Sequence, residues 1–251
     1  MSTVFGRKGT LPDRPTVVLI HGAGGSAGAF LAQINPLDKF FNIAALEFPG
    51  HGHTPGPPLE SISEMAEFVK AAVTGPPLSP PVFLLGVSMG GAVTLQCAMD
   101  FPDLLAGIIV VNSGPRLGGD GSILKMLDTD PGGARDIFAR RLFSDNVPES
   151  HIRLSKDFLA QTPVDILKAD LTASAGFDPG DKLASIKVPA LIICALEDKL
   201  VPPDKCRSLA LILPNARLLE LPHTGHAAHI EAYKELNQAV TEFIRDTMAP
   251  S

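Results

Sequence analysis

Three cysteines, Cys97, Cys194 and Cys206, are too few and odd in number for a disulfide framework, and no C-x-x-C spacing suggests a metal or redox pair. Cys97 and Cys194 lie inside apolar runs and read as buried thiols. Residues 1–14 lack the apolar core of a signal peptide. The longest apolar runs, such as 188–196, fall far short of the roughly 20 residues needed to span a bilayer. Basic charge is not in excess either: 21 Lys and Arg face 27 Asp and Glu, for a net charge of −6. That balance favours solubility and provides no electrostatic footprint for nucleic acid or an anionic membrane, and the cytoplasm is the default expectation. No internal repeat is evident. What is present is ordinary globular material, 45% hydrophobic over 251 residues, enough for one domain burying roughly three-quarters of the unfolded chain's surface.

Short β-rich runs alternate with amphipathic helix-like stretches, the pattern of an α/β protein whose mostly parallel central sheet is flanked by helices. Strands are expected over 16–20, 42–46, 81–86, 105–112, 188–196 and 216–221, with a short edge strand over 4–7. Several are apolar without alternation, as where both sheet faces are covered. Helices are expected over 27–37, 61–73, 90–101, 205–213 and 227–248; in the last, Ile230, Tyr233, Leu236, Val240, Phe243 and Ile244 recur at helical spacing. The rhythm breaks after Asn112. Residues 113–182 carry Gly/Asp-rich loops and helical pieces, such as 134–143 and 149–161, and read as a helical cap inserted within a single domain spanning 1–251.

The strongest local signal is Gly86-Val87-Ser88-Met89-Gly90, a G-x-S-x-G between an apolar strand and a helical stretch. A serine aimed outward at a sharp strand-to-helix turn needs unusual backbone angles, and flanking glycines remove side chains that would clash. The following helix directs its N-terminal amides towards the serine, where developing negative charge is favoured. The bland reading is a tight glycine turn.

A serine hydroxyl needs a base to become a useful nucleophile. Of seven histidines, His226 follows the strand 216–221 at the carboxyl edge of the sheet, where Ser88 also emerges; His223 is the rival, and His229 would begin a helix. The base needs an acceptor for its other ring nitrogen, and Glu197 and Asp198, after the strand 188–196, both qualify. Each also reads as a turn or capping acid. The turn His21-Gly22-Ala23-Gly24-Gly25-Ser26 follows the first core strand; it lacks the third glycine of a dinucleotide loop and any Gly-Lys-Ser/Thr, so it is not a phosphate loop.

These segments, with Phe48-Pro49-Gly50-His51-Gly52, closely resemble the α/β-hydrolase superfamily in order over essentially the whole chain. The resemblance selects Asp198 over Glu197 and implies a triad of Ser88, Asp198 and His226, with the N–H groups of Ala23 and Met89 as the oxyanion hole. It makes His51 architectural. Within the superfamily the chain is similar to small capped serine hydrolases: esterases, enol-lactonases and C–C hydrolases. Serine at position 88 argues against the dehalogenases and epoxide hydrolases, which use aspartate.

The expected activity is cleavage of a small-molecule carboxylic ester through an acyl-enzyme on Ser88, without metal or organic cofactor. The alternatives are an enol-lactone or C–C bond hydrolase and, from another class, a non-catalytic binding protein on the same fold. Gly22, Asn112 and Ser113 are expected to contact substrate. Arg116, Arg140, Arg141 and Arg153 read as solvated charges more readily than as ligands.

Overall fold

Successive residues of a strand point to opposite faces of its sheet, so an all-apolar strand demands cover on both sides. A computed structural model, which describes residues 3–6, 11, 13–75, 78–118 and 121–249, supplies that cover. Strands β1 (Thr3–Gly6), β2 (Thr16–Ile20), β3 (Asn42–Glu47), β4 (Val82–Val87), β5 (Gly107–Val111), β6 (Ala190–Ala195) and β7 (Ala216–Leu221) form one sheet in the order β1-β3-β2-β4-β5-β6-β7. The six strands β2 to β7 run parallel, and β1 joins the edge antiparallel to β3. Every residue of β2 to β6 is buried.

The period of two divides these strands between two cores. Val18, Ile20, Leu84, Val110 and Ile192 pack against Met65 and Val69 of α2 (Ile62–Thr74), Val93 of α3 (Met89–Asp100) and Leu209 of α8 (Pro203–Ile212). Val17, Leu19, Phe83, Leu85 and Ile193 pack on the other face, against Leu37 of α1 (Leu31–Leu37) and Leu236, Val240 and Phe243 of α10 (Tyr233–Met248). Burial of a side chain of this size contributes about 1.5–3 kcal/mol, so the faces rather than helix propensity hold the elements.

The expected boundaries shift for local reasons. The strand expected over 105–112 shortens to Gly107–Val111; at its end Asn112, whose N–H still donates to the Ile193 carbonyl, has φ +48° and turns the chain out of the strand. The strand expected over 188–196 begins at Ala190; Pro189 has no N–H to donate, though its carbonyl accepts from Ile108. Residues 27–37 open with a 3₁₀ turn, Ala27–Phe30. The helix expected over 227–248 is two pieces, α9 (Ala228–Glu231) and α10, separated at Ala232 (φ −118°, ψ +41°). Arg7, placed in the edge strand by its sequence, lies outside the described residues.

Between β5 and β6 the chain forms α4 (Ser122–Met126), α5 (Pro131–Arg141), α6 (Glu149–Gln161) and α7 (Val164–Ala175). Ala134, Phe138, Leu159 and Leu167 of this insertion form a third apolar cluster, with Ala23 and Leu200 from sheet-edge loops packed against it. Among the described residues no helix is long and apolar enough to cross a membrane.

Candidate active site

Parallel strands deliver their following loops to one edge, and that edge gathers the residues singled out above. Ser88 stands between β4 and α3 with φ +56° and ψ −115°, a conformation that L-residues rarely adopt. The flanking glycines are required by contact. A Cβ on Gly86 would lie 2.0 Å from the Gly90 carbonyl oxygen, and one on Gly90 would lie 2.2 Å from that of Ile20. The Ser88 N–H donates to the Val111 carbonyl at the end of β5 (2.9 Å). Gly22 passes beside the serine, its missing Cβ only 3.4 Å from Ser88 Cβ.

His226 and Asp198 meet. His226 Nδ1 lies 2.7 Å from Asp198 Oδ2, with the two side chains 4% and 1% exposed. Asp198 Oδ1 accepts from the N–H groups of Leu200 and Val201, both at 2.8 Å, which holds the carboxylate in its loop. Because an ionised carboxylate only accepts, it selects the Nδ1–H tautomer and leaves Nε2 of a neutral ring as a base. The other candidates have other partners. His223 is a surface residue paired with Glu197 (3.2 Å), and His229 is buried, with its pKa lowered to about 3 by desolvation and then by neighbouring His226. Ser88 Oγ makes no hydrogen bond to a described residue.

Asn112 joins the two halves of the site. Its Oδ1 accepts from the Ala195 N–H (2.8 Å), and its Nδ2 donates to the carbonyls of His226 (2.7 Å) and Gly225 (3.3 Å). Ser88 and His226 thus hang from consecutive residues at the end of β5. Asn112 and Ser113 are both fully buried. Both were expected to touch substrate; here the Asn112 amide is consumed by backbone partners. Ser113 packs against Gly91, where a Cβ would approach its own to 2.6 Å, and its carbonyl accepts from the Cys206 thiol (3.1 Å).

A second polar cluster lies behind the His21–Ser26 turn. Asp170 Oδ2, from α7, accepts from the Gly24 N–H (2.7 Å) and pairs with His51 Nε2 (2.8 Å). His51 Nδ1 faces the Pro49 carbonyl at 3.1 Å. Both nitrogens of His51 therefore face acceptors, the arrangement of an imidazolium. Its pKa is raised: burial opposes the charge, but Asp170 outweighs it through hydrogen bond and charge. His21 is the neutral member. Its Nδ1 donates to the Gly22 carbonyl (2.9 Å), its Nε2 accepts from the Phe48 N–H (3.3 Å), and burial followed by repulsion from His51 lowers its pKa to about 3. On the far side, Glu231 receives the N–H groups of Gly225 (3.0 Å) and Ser144 (3.1 Å) and the Ser144 hydroxyl (2.6 Å), joining the His226 loop to the insertion.

Asp170, Thr162 and Glu231 escaped the sequence reading. The one signal for Asp170 is its place on an apolar stripe with Ile166, Leu167 and Ala173, where an unpartnered acid would be costly. Arg116 and Arg140 are exposed and paired with Asp178 and Glu149. Among the described residues no three His, Cys, Asp or Glu are grouped to hold a metal ion. Two surface depressions, one of about 380 Å³ lined by Asp13, Phe40, Phe41 and Met248, lie near the amino ends of β2 and β3 and along α10, remote from Ser88.

The model of the alpha/beta hydrolase family matches residues 17–239. The "putative carbamate hydrolase RutD" of Pseudomonas syringae pv. syringae is 30% identical over 245 residues, covering 92% of this chain and 94% of that protein. Its counterpart in Serratia proteamaculans is 28% identical, with 94% and 93% covered. Among solved structures, the enol-lactonase from Burkholderia xenovorans LB400 superposes with a TM-score of 0.88 at 23% identity, covering 97% of this chain and 95% of that one. A thermophilic esterase gives 0.84 at 24%, covering 99% and 98%. At these identities the superpositions speak for the fold.

Proposed function

Because the chain belongs to the alpha/beta hydrolase family, we propose that it cleaves a small-molecule carboxylic ester through an acyl-enzyme on Ser88. The observation that carries this reading is the buried 2.7 Å bond from Asp198 to His226 Nδ1, which leaves Nε2 as the proton acceptor, on a loop tied by Asn112 to the strand end that also anchors Ser88. His226 takes the hydroxyl proton as Ser88 attacks the carbonyl carbon, and Asp198 steadies the imidazolium that forms. In this reading the serine–imidazole hydrogen bond forms in the substrate complex, where catalytic hydrogen bonds commonly align.

The N–H groups of Ala23 and Met89 receive the oxyanion. Among the described residues neither donates to a protein acceptor, so both are available. Each such donor contributes about 3–4 kcal/mol to the transition state. His226 then protonates the leaving alcohol, and water activated by the same imidazole releases the acid. Gly22 lies against Ser88 and borders the acyl group. The scheme calls on no metal or organic cofactor.

Ser88→Ala is expected to lose hydrolysis of p-nitrophenyl acetate by at least about 10⁴-fold and all fluorophosphonate labelling. Turnover by Ser88→Ala at the parent rate would overturn the assignment, and labelling without turnover by the parent would make the chain a binder. A second reading has its own support in the relatives called putative carbamate hydrolases. A carbamate presents the same kind of carbonyl to Ser88, so a panel of esters, carbamates and lactones separates the readings. A hundredfold preference for esters in kcat/KM is the expected result; the same preference for carbamates or lactones would move the assignment.

A further inference from the structure

We propose that Asp170 and Thr162, both from the helical insertion, are positioning residues that hold the oxyanion donor of Ala23. The proposal rests on the serine-hydrolase reading and extends it to the helical insertion. The loop needs such support. Gly22, Gly24 and Gly25 surround Ala23, and Gly24 itself has φ +68°, so no side chain on either side of Ala23 restricts its peptide planes. The turn's own bond, from the Gly25 N–H to the Gly22 carbonyl (3.0 Å), leaves the Ala23–Gly24 peptide free to rotate.

The insertion closes that freedom from two sides. Asp170 Oδ2 accepts the Gly24 N–H at 2.7 Å, and the Thr162 hydroxyl donates to the Gly24 carbonyl at 2.9 Å. Both polar groups of Gly24 are thus held by side chains more than 130 positions away in the chain. Both residues are buried, so water does not compete for these bonds. The carboxylate is in turn held by His51 Nε2 (2.8 Å), whose charge offsets the cost of burying an ionised acid. Leu159 and Leu167 of the insertion fill the space beside Gly24, each 2.9 Å from where its Cβ would stand. The Ala23 N–H shares its peptide plane with the Gly22 carbonyl, which accepts from the Gly25 N–H (3.0 Å) and faces His21 Nδ1 (2.9 Å). By fixing both planes of Gly24, Asp170 and Thr162 hold the Gly25 N–H on that carbonyl and so keep the Ala23 N–H aimed. An oxyanion donor works by being aimed in advance, so a loop that samples several orientations loses rate while binding ground-state ester as before.

The test uses the full chain with p-nitrophenyl acetate, a boronic acid as the tetrahedral mimic, and thermal unfolding as a check of folding. Asp170→Ala is expected to lower kcat at least about tenfold with KM within threefold of the parent, and to weaken boronate binding by a similar factor. Thr162→Val, which keeps the shape and deletes the hydroxyl, is expected to lower kcat several-fold in the same pattern, and Thr162→Ser is expected to restore it. Ser174→Ala removes a hydroxyl without a partner one turn further along α7 and is expected to leave kcat, KM and boronate affinity unchanged. Should Asp170→Ala fail to fold, the Thr162→Val and Thr162→Ser pair decides. Parent-like kcat and boronate affinity in Thr162→Val and in folded Asp170→Ala, or losses confined to KM, would overturn the positioning role while Ser88→Ala remains inactive. An active Ser88→Ala would instead overturn the serine-hydrolase reading beneath it.

Discussion

At the scale of single residues, hydrogen-bond geometry sorts chemically equal candidates. Glu197 and Asp198 are adjacent acids after one strand; only Asp198 turns inward to His226, while Glu197 meets His223 at the surface. The distinction suggests a sharp substitution. Asp198→Asn keeps an oxygen for the N–H groups of Leu200 and Val201 but presents an amide to Nδ1, favouring the tautomer in which Nε2 carries the proton. The expected result is a loss of about 10⁴-fold in kcat for p-nitrophenyl acetate with a thermal midpoint close to the parent's. A variant that retains a tenth of the parent kcat would show that Asp198 does not set the tautomer.

At the scale of elements, the site depends on how the ends of neighbouring strands are joined. β5 ends at Val111, whose carbonyl receives the Ser88 N–H, and the next residue ties β6 and the His226 loop together. Asn112 suits that position doubly, because asparagine tolerates the left-handed φ of +48° and offers one acceptor and two donors. Asn112→Asp retains the acceptor for Ala195 but sets a carboxylate against two carbonyls. It is expected to cost about 2–4 kcal/mol in urea unfolding and to lower kcat as the histidine loop shifts. A parent-like urea midpoint would refute the junction. Loop-to-loop junctions of this kind leave little trace in sequence. Asn112 stood out as a strand-end residue expected to touch substrate rather than as a junction, and Asp170 is marked only as an acid on an apolar stripe.

At the scale of the whole molecule, burial of histidines ties folding to pH. His21 and His229 have pKa values near 3 in the fold, against about 6.5 in an unfolded chain. Between those values the unfolded state binds more protons than the native one, so stability falls as pH drops below 6.5. Each group contributes about 1.4 kcal/mol per pH unit within that window. His51 runs the other way: its raised pKa gives stability that is complete below about 6.5 and lost as pH climbs through the folded value. The expected observation is that His229→Phe loses about 2 kcal/mol less than the parent between pH 7 and pH 5 in urea unfolding, whatever its stability at pH 7. Equal losses in the two proteins would remove burial of His229 as a source of acid sensitivity.

The sequence by itself determined the sheet, its helices and the strand ends at which Ser88, Asp198 and His226 stand, because hydrophobic period and glycine-bearing turns are local properties that a chain carries along its length. Their limits were blurred where one residue ends a strand: Asn112 by its left-handed φ, Pro189 by its missing N–H. The residues alone left Glu197 and Asp198 equal and the family resemblance chose Asp198; the tertiary structure brings that acid to His226 and sends Glu197 to His223. It also decided that Asn112 is consumed by backbone, and that Asp170 and Thr162 reach Gly24 across more than 130 residues. Such pairings depend on the direction of side chains brought together by packing, and no spacing along the chain encodes that direction.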